Sequence, residues 1–241
     1  CLGLLLIYLT ARLAFPLRSP LPVLTTLLVT VIPQVAFIFS SVSNDSMITV
    51  VSLAVIYWLA RLVVRDARTP VGWWEWGVLG LLLGLAALSK LQGLVLLAPA
   101  GLTILWTAWQ RRSWRLFAVA AALVAVPAVA VAGWWYWRND VLYGEWLAAN
   151  RLLTITGLRT TPRTWNGFVG EMNGLRYSFW GLFGWFNIPL PGWIYKTLDA
   201  VTLLAFAGLA VSGIQGWRRD GRGWLDAPVA RVRFFLGIWV V

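Results

Sequence analysis

Long apolar runs separated by short polar connections set the plan of this chain. Leu2 to Phe15, Leu24 to Val42, Met47 to Val64, Trp76 to Ser89, the run ending before Arg111, Leu116 to Trp137, and Thr197 to Trp217 are dominated by Leu, Val, Ala, Ile and Trp. Several approach the ~20 residues that a helix needs to cross the hydrocarbon core of a bilayer. Runs such as Gly77 to Leu88 do not alternate apolar with polar positions, which excludes a transmembrane β-barrel. The pattern predicts an all-α fold, a polytopic transmembrane helical bundle of about seven spans followed by a truncated eighth from Phe234 to Val241. Because the chain begins and ends inside apolar runs, residues 1–241 read as a single transmembrane domain truncated at both ends.

Prolines and small residues refine the picture. Pro33 and Pro127 fall inside predicted spans, where neighbouring helices re-satisfy the backbone groups that a kink frees. Gly80 and Gly84, four residues apart, predict a close contact with another helix. The segment from Ser178 to Trp193 is aromatic, rich in glycine and broken by Pro189 and Pro191, so it reads as interfacial or re-entrant. Between Arg138 and Tyr177 lies a long polar stretch in which Trp146-Leu-Ala-Ala and Arg151-Leu-Leu predict an amphipathic interfacial helix.

Charge then orients the bundle. Arg12 and Arg18, Arg61, Arg65 and Arg68, Arg111, Arg112 and Arg115, and Arg218, Arg219, Arg222, Arg231 and Arg233 all lie in one alternate set of connections. The short tips of the other set hold only Lys90, so the positive-inside rule assigns the first set to the cytoplasm. The tip around Asp45, the turn at Lys90 and the 138–196 loop and interfacial segment then share the extracytoplasmic side. Of the polar stretch, Arg151, Arg159, Arg163 and Arg176 face Asp140, Glu145 and Glu171 in number.

Composition narrows the chemistry. The net charge is +11, yet the basic residues are scattered over short loops instead of forming one patch, so no nucleic-acid partner is expected. Histidine is absent and Cys1 is the only cysteine. This excludes Ser-His and Cys-His nucleophile pairs and the zinc sites that depend on those ligands. Acid–base chemistry is left to carboxylates, Lys and Tyr. Eighteen tryptophans, many at the ends of apolar runs, fit interfacial belts and membrane lipids as partners.

Three polar features carry candidate roles. Asn44 and Asp45 stand in a four-residue tip between two long apolar runs, either as a helix cap or as groups facing a shared cavity. Lys90, with Gln92 beside it, either snorkels to lipid phosphate or binds the phosphate of a lipid-linked substrate. The stretch from Trp134 to Glu145 passes from an aromatic belt directly into charge. There Arg138, Asn139, Tyr143 and Glu145 are candidates for substrate binding, with Arg138 suited to a bidentate phosphate contact and an ordinary interfacial cap as the alternative.

A Pro-containing span ending at Asn44-Asp45, the turn Gly84-Leu-Ala-Ala-Leu-Ser-Lys90 with Pro99 beyond it, and Trp137-Arg-Asn-Asp-Val-Leu-Tyr-Gly144 after an Ala-rich run resemble one group. It is the GT-C superfamily of membrane glycosyltransferases, in the branch of protein O-mannosyltransferases and bacterial aminoarabinose transferases. The resemblance implies an enzyme of a bacterial or archaeal plasma membrane with its active site outside. It would transfer a sugar from a polyprenyl-phosphate-linked donor to a lipid, glycan or protein acceptor. On that plan Asp45, with Asn44, takes the acidic position of the second outer loop and orients the acceptor or a divalent metal. No other cofactor is expected. Lys90 and Arg138 hold the departing phosphate. The acidic pair usual on the family's first outer loop has no counterpart in this sequence, and the principal catalytic carboxylate is expected there. A flippase for lipid-linked saccharides and a noncatalytic membrane scaffold are the alternatives.

Overall fold

The structure, a computed structural model, describes residues 1–16, 18–66, 69–157, 164–184, 187–220 and 227–240. Arg68, Arg159, Arg163 and Arg222, and Trp185 and Phe186 of the aromatic segment, lie outside the described residues. The first helices are α1 (Leu2–Ala14), α2 (Leu21–Thr30), α3 (Pro33–Ser40), α4 (Asn44–Val64) and α5 (Trp73–Ser89). A 3-10 helix, Leu91–Leu96, leads into α6 (Leu97–Gln110), and α7 (Trp114–Tyr143) and α8 (Ala149–Thr156) follow. The chain continues through α9 (Trp165–Trp180), strands β1 (Leu182–Phe183) and β2 (Ile188–Pro189), α10 (Gly192–Asp220) and α11 (Pro228–Val240).

The described residues are overwhelmingly helical, as the apolar runs predict, but they do not give seven full spans. Among the described residues four helices are long and apolar enough to cross a membrane: α4, the continuous Leu91–Gln110 segment, α7 and residues 192–218 of α10. Helices α2 and α3 make a fifth only if they count as one span bent by 70°. The bend has a local cause. Pro33 has no N–H to give the helix, and its ring forces Ile32 into an extended conformation (φ −71°, ψ 116°). Helices α1 and α5, with 13 and 17 residues, are apolar but shorter than the spans around them.

The chain divides into two compact units, Cys1–Thr26 with Ser43–Leu158 and Pro228–Val241, and Leu27–Val42 with Arg159–Ala227. The first is built on α4, α5, α6 and α7, whose buried Val55, Leu59, Leu79, Leu83, Ile104 and Val124 form one core. Between lipid-facing helices there is little hydrophobic drive to associate, so close approach of backbones decides the packing. The α5–α7 seam shows it: a Cβ on Gly80 would collide with the Val124 carbonyl, and one on Gly84 would lie 3.0 Å from the Ala128 carbonyl oxygen. The predicted small-residue contact is therefore the axis of this unit. A second cluster, Ala14, Ala60 and Val232, joins α1, α4 and α11.

At the C-terminal end of α4 this unit carries a dense polar network. Both terminal nitrogens of Arg65 donate to the Glu75 carboxylate, at 2.7 and 2.6 Å, and the Gly72 N–H donates to it at 2.9 Å. The Trp58 indole N–H reaches the Glu75 carbonyl at 3.0 Å. Arg231 donates to the Arg65 carbonyl at 2.9 Å and to the Asp66 carboxylate at 3.0 Å, Arg233 donates to the Ala14 carbonyl at 2.8 Å, and Arg111 donates to the Thr69 carbonyl.

In the second unit, α3 and α9 pack on a two-stranded antiparallel hairpin that pairs Leu182 with Pro189 and Phe183 with Ile188. The segment predicted to be interfacial or re-entrant contains this hairpin. The Gln34 side-chain oxygen accepts from the Leu182 N–H at 3.1 Å, and Phe37 meets Phe183 edge-on. The buried Tyr195 hydroxyl donates to the Gly181 carbonyl at 2.6 Å and accepts from the Leu190 N–H at 2.9 Å. Arg176 of α9 pairs with Asp199 of α10 at 2.6 Å.

Candidate functional site

The end of the first unit opposite its arginine network, at the N-terminus of α4, holds most of the candidate residues. Ser43 is the extended N-cap of α4, which puts Asn44 and Asp45 in the first turn. A carboxylate there is favoured by the helix dipole. The Asp45 side chain does not fold back on its own helix: its Oδ1 accepts from the Lys90 ammonium, forming an ion pair between residues 45 positions apart.

Lys90 reaches that position because α5 stops abruptly. Its backbone is extended (φ −162°, ψ 147°), its N–H still bonds to the Ala86 carbonyl at 3.2 Å, and the 3-10 turn starts immediately after it. Gly93 lets the turn lie across the end of α5, since any Cβ there would strike the Ala86 carbonyl. The Lys90 side chain is 33% exposed and that of Asp45 50%, so the pair is accessible to solutes.

Helix α7 closes on the same end. The Tyr136 hydroxyl donates to the Ala87 carbonyl at 2.9 Å, three residues before Lys90. Contrary to the expected polar stretch from Arg138, α7 remains helical through Tyr143 and ends at Gly144 in a left-handed conformation (φ 69°). Helical continuation places Asn139 on the packed side, buried, where its amide reaches the Trp146 carbonyl at 3.4 Å. The Glu145 carboxylate accepts from the Asn150 N–H at 3.0 Å and so starts α8, the short helix expected in this stretch.

The candidates therefore separate. Asp45 and Lys90 are brought together, whereas Asn139 and Glu145 hold the turn after α7. Arg138 is exposed with its guanidinium 5.1 Å from the Trp135 ring centre, and among the described residues it makes no hydrogen bond to Asp45. Asn44, Gln92 and Tyr143 are exposed. Tyr136 is the residue that sequence reading missed at this end; its only signal was a lone phenol in a run of tryptophans. Glu75 was missed at the other end, where one acidic residue among apolar and aromatic neighbours in a basic connection was the available signal.

A divalent metal does not fit this arrangement. Among the described residues no three His, Cys, Asp or Glu side chains gather to hold an ion, and the Asp45 carboxylate already faces an ammonium. Hard cations take six or more oxygen ligands, and one carboxylate supplies too few.

Neither a curated protein nor a solved structure matches the chain. A family model described as a predicted membrane protein, DUF2142, matches residues 1–240. Together with the helices long and apolar enough to cross a bilayer, this match makes the chain an integral membrane protein that belongs to the DUF2142 family.

Proposed function

We propose that the chain carries part of the active site of an integral-membrane glycosyltransferase. It moves a sugar from a polyprenyl-phosphate-linked donor to an acceptor on the extracytoplasmic face. The observation that supports this reading most is the solvent-open Lys90–Asp45 pair, a phosphate-binding cation beside a carboxylate on the face that the positive-inside rule assigns to the exterior. The GT-C-like order of motifs in the sequence supports the same assignment.

The chemistry follows from what those groups offer. The acceptor hydroxyl gives its proton to a carboxylate while its oxygen forms a bond to the anomeric carbon. The bond from that carbon to the carrier phosphate breaks, and the electron pair stays on the phosphate. Lys90 stabilises that charge, and Asp45 orients the acceptor hydroxyl. The donor phosphate competes with Asp45 for the ammonium, so donor binding frees the carboxylate beside the reacting carbon. Arg138 joins from its place on Trp135 when the lipid arrives.

The test uses the protein in proteoliposomes with a labelled polyprenyl-phosphate sugar and an acceptor extract, comparing wild type with Asp45→Asn. Transfer by wild type and its loss in the variant, with donor still bound, is the expected result. Donor that crosses the bilayer without transfer overturns the reading in favour of a flippase. Equal transfer by both proteins returns Asp45 to a structural role.

A further inference from the structure

At the arginine end of the first unit, two cavities open beside α6 and the α6–α7 turn, one of them also bordered by α11. One, of about 370 Å³, is an almost wholly apolar groove lined by Leu102, Leu105, Trp106, Phe234, Phe235 and Ile238. The other, of about 440 Å³, is mixed in character: Ala108 and two tryptophans line it together with Gln110, Arg112 and Ser113, and Arg112 is the one charged residue in that lining. Trp109 and Trp114 line both, so the two cavities adjoin. Each volume falls in the range of small-molecule sites, roughly 300–1,000 Å³.

The chain that lines this second cavity carries charge of one sign. Arg111, Arg112 and Arg115 fall within five residues, and no Asp or Glu occurs between Leu97 and Tyr136. Arg111 is used by the fold, through the Thr69 carbonyl. Arg112 is exposed and has no partner among the described residues. Its backbone is left-handed (φ 49°) at the end of α6, the position where helices ordinarily take glycine. Trp106 is edge-on to Phe235, with ring centres 5.3 Å apart, which fixes one wall of the groove.

We propose that this pair of cavities binds one anionic phospholipid of the leaflet facing the arginine end, with an acyl chain in the groove and the phosphodiester against Arg112. An apolar slot that runs into a cationic pocket complements a molecule with an apolar tail and a negative head. Helix α6 belongs to a segment long enough to cross the bilayer, which puts a slot along it within reach of acyl chains. Basic pockets between helices on the cytoplasmic side recognise anionic headgroups by the same physics. The proposal is independent of the Asp45–Lys90 pair at the other end.

Native mass spectrometry of the full chain, released from detergent micelles with phosphatidylglycerol or phosphatidylcholine, tests it. Wild type is expected to retain one phosphatidylglycerol in preference to phosphatidylcholine by about fivefold, the factor for one basic contact at an anionic surface. Arg112→Gln should remove the preference, Arg112→Lys should keep most of it, and Leu105→Trp, which fills the groove, should lower retention of both lipids. Equal retention of the two lipids by wild type overturns the proposal, as does unchanged preference in Arg112→Gln. A dimer without bound lipid that Leu105→Trp dissociates also overturns it, by giving the groove to a second copy of the chain.

Discussion

The two ends of the first unit treat charge in opposite ways. At the arginine end, Glu75 is buried and its carboxylate accepts from both arms of Arg65 and from a backbone amide, while buried Arg231 spreads its donors over two carbonyls and a carboxylate. Both oxygens of the Glu75 carboxylate are satisfied by protein, which is what a charge taken out of water requires. At the lysine end one ammonium with three donors meets one carboxylate, and both remain partly exposed. Saturated charge holds helices in place. Charge with donors to spare is available to a solute.

That contrast is open to breakage, and the largest effect belongs to the arginine end. Glu75→Gln leaves the partly buried Arg65 against a neutral side chain and should destabilise the protein by about 1.5–3 kcal/mol, the worth of hydrogen bonds to a charged group, read as a lower thermal midpoint in detergent. Gly80→Ala, on the α5 seam that fixes both ends, should lose about 1–3 kcal/mol because its methyl meets the Val124 carbonyl. Arg138→Ala should lose at most about 1 kcal/mol, the worth of an exposed cation over an aromatic ring. Asp45→Asn should change stability by no more than about 1 kcal/mol, as for other solvent-exposed ion pairs, while removing the sugar transfer proposed above. If Asp45→Asn unfolds the protein as readily as Glu75→Gln, the distinction between the two ends fails.

Much of the plan was legible in the sequence. Apolar length gave helices in the right places from α4 to α7, because a run that fills the bilayer has only one way to satisfy its backbone. Gly80 and Gly84 announced the α5–α7 seam because only the absence of a side chain permits that approach. Less was legible at the boundaries. The sequence pattern placed the end of α7 at Trp137, where charge begins, yet the helix continues to Tyr143 because Arg138 can stack on Trp135 and Asn139 can bury its amide on the Trp146 carbonyl. The count of full spans likewise rests on lengths that hydropathy blurs, as the short α5 and the break at Pro33 show.

By itself the sequence determined a helical membrane protein, its charge asymmetry, and the residue types available for chemistry, because the bilayer reads composition and period directly. It placed Asp45 and Lys90 in separate connections and left each open between a structural role, as cap or lipid anchor, and a place in a site. Only the tertiary structure decided that they meet, because their pairing depends on where α5 ends and how the Gly93 turn crosses it. Packing likewise joined the buried Glu75 to the partly buried Arg65, since the nine residues between them contain no local signal that the two side chains will meet.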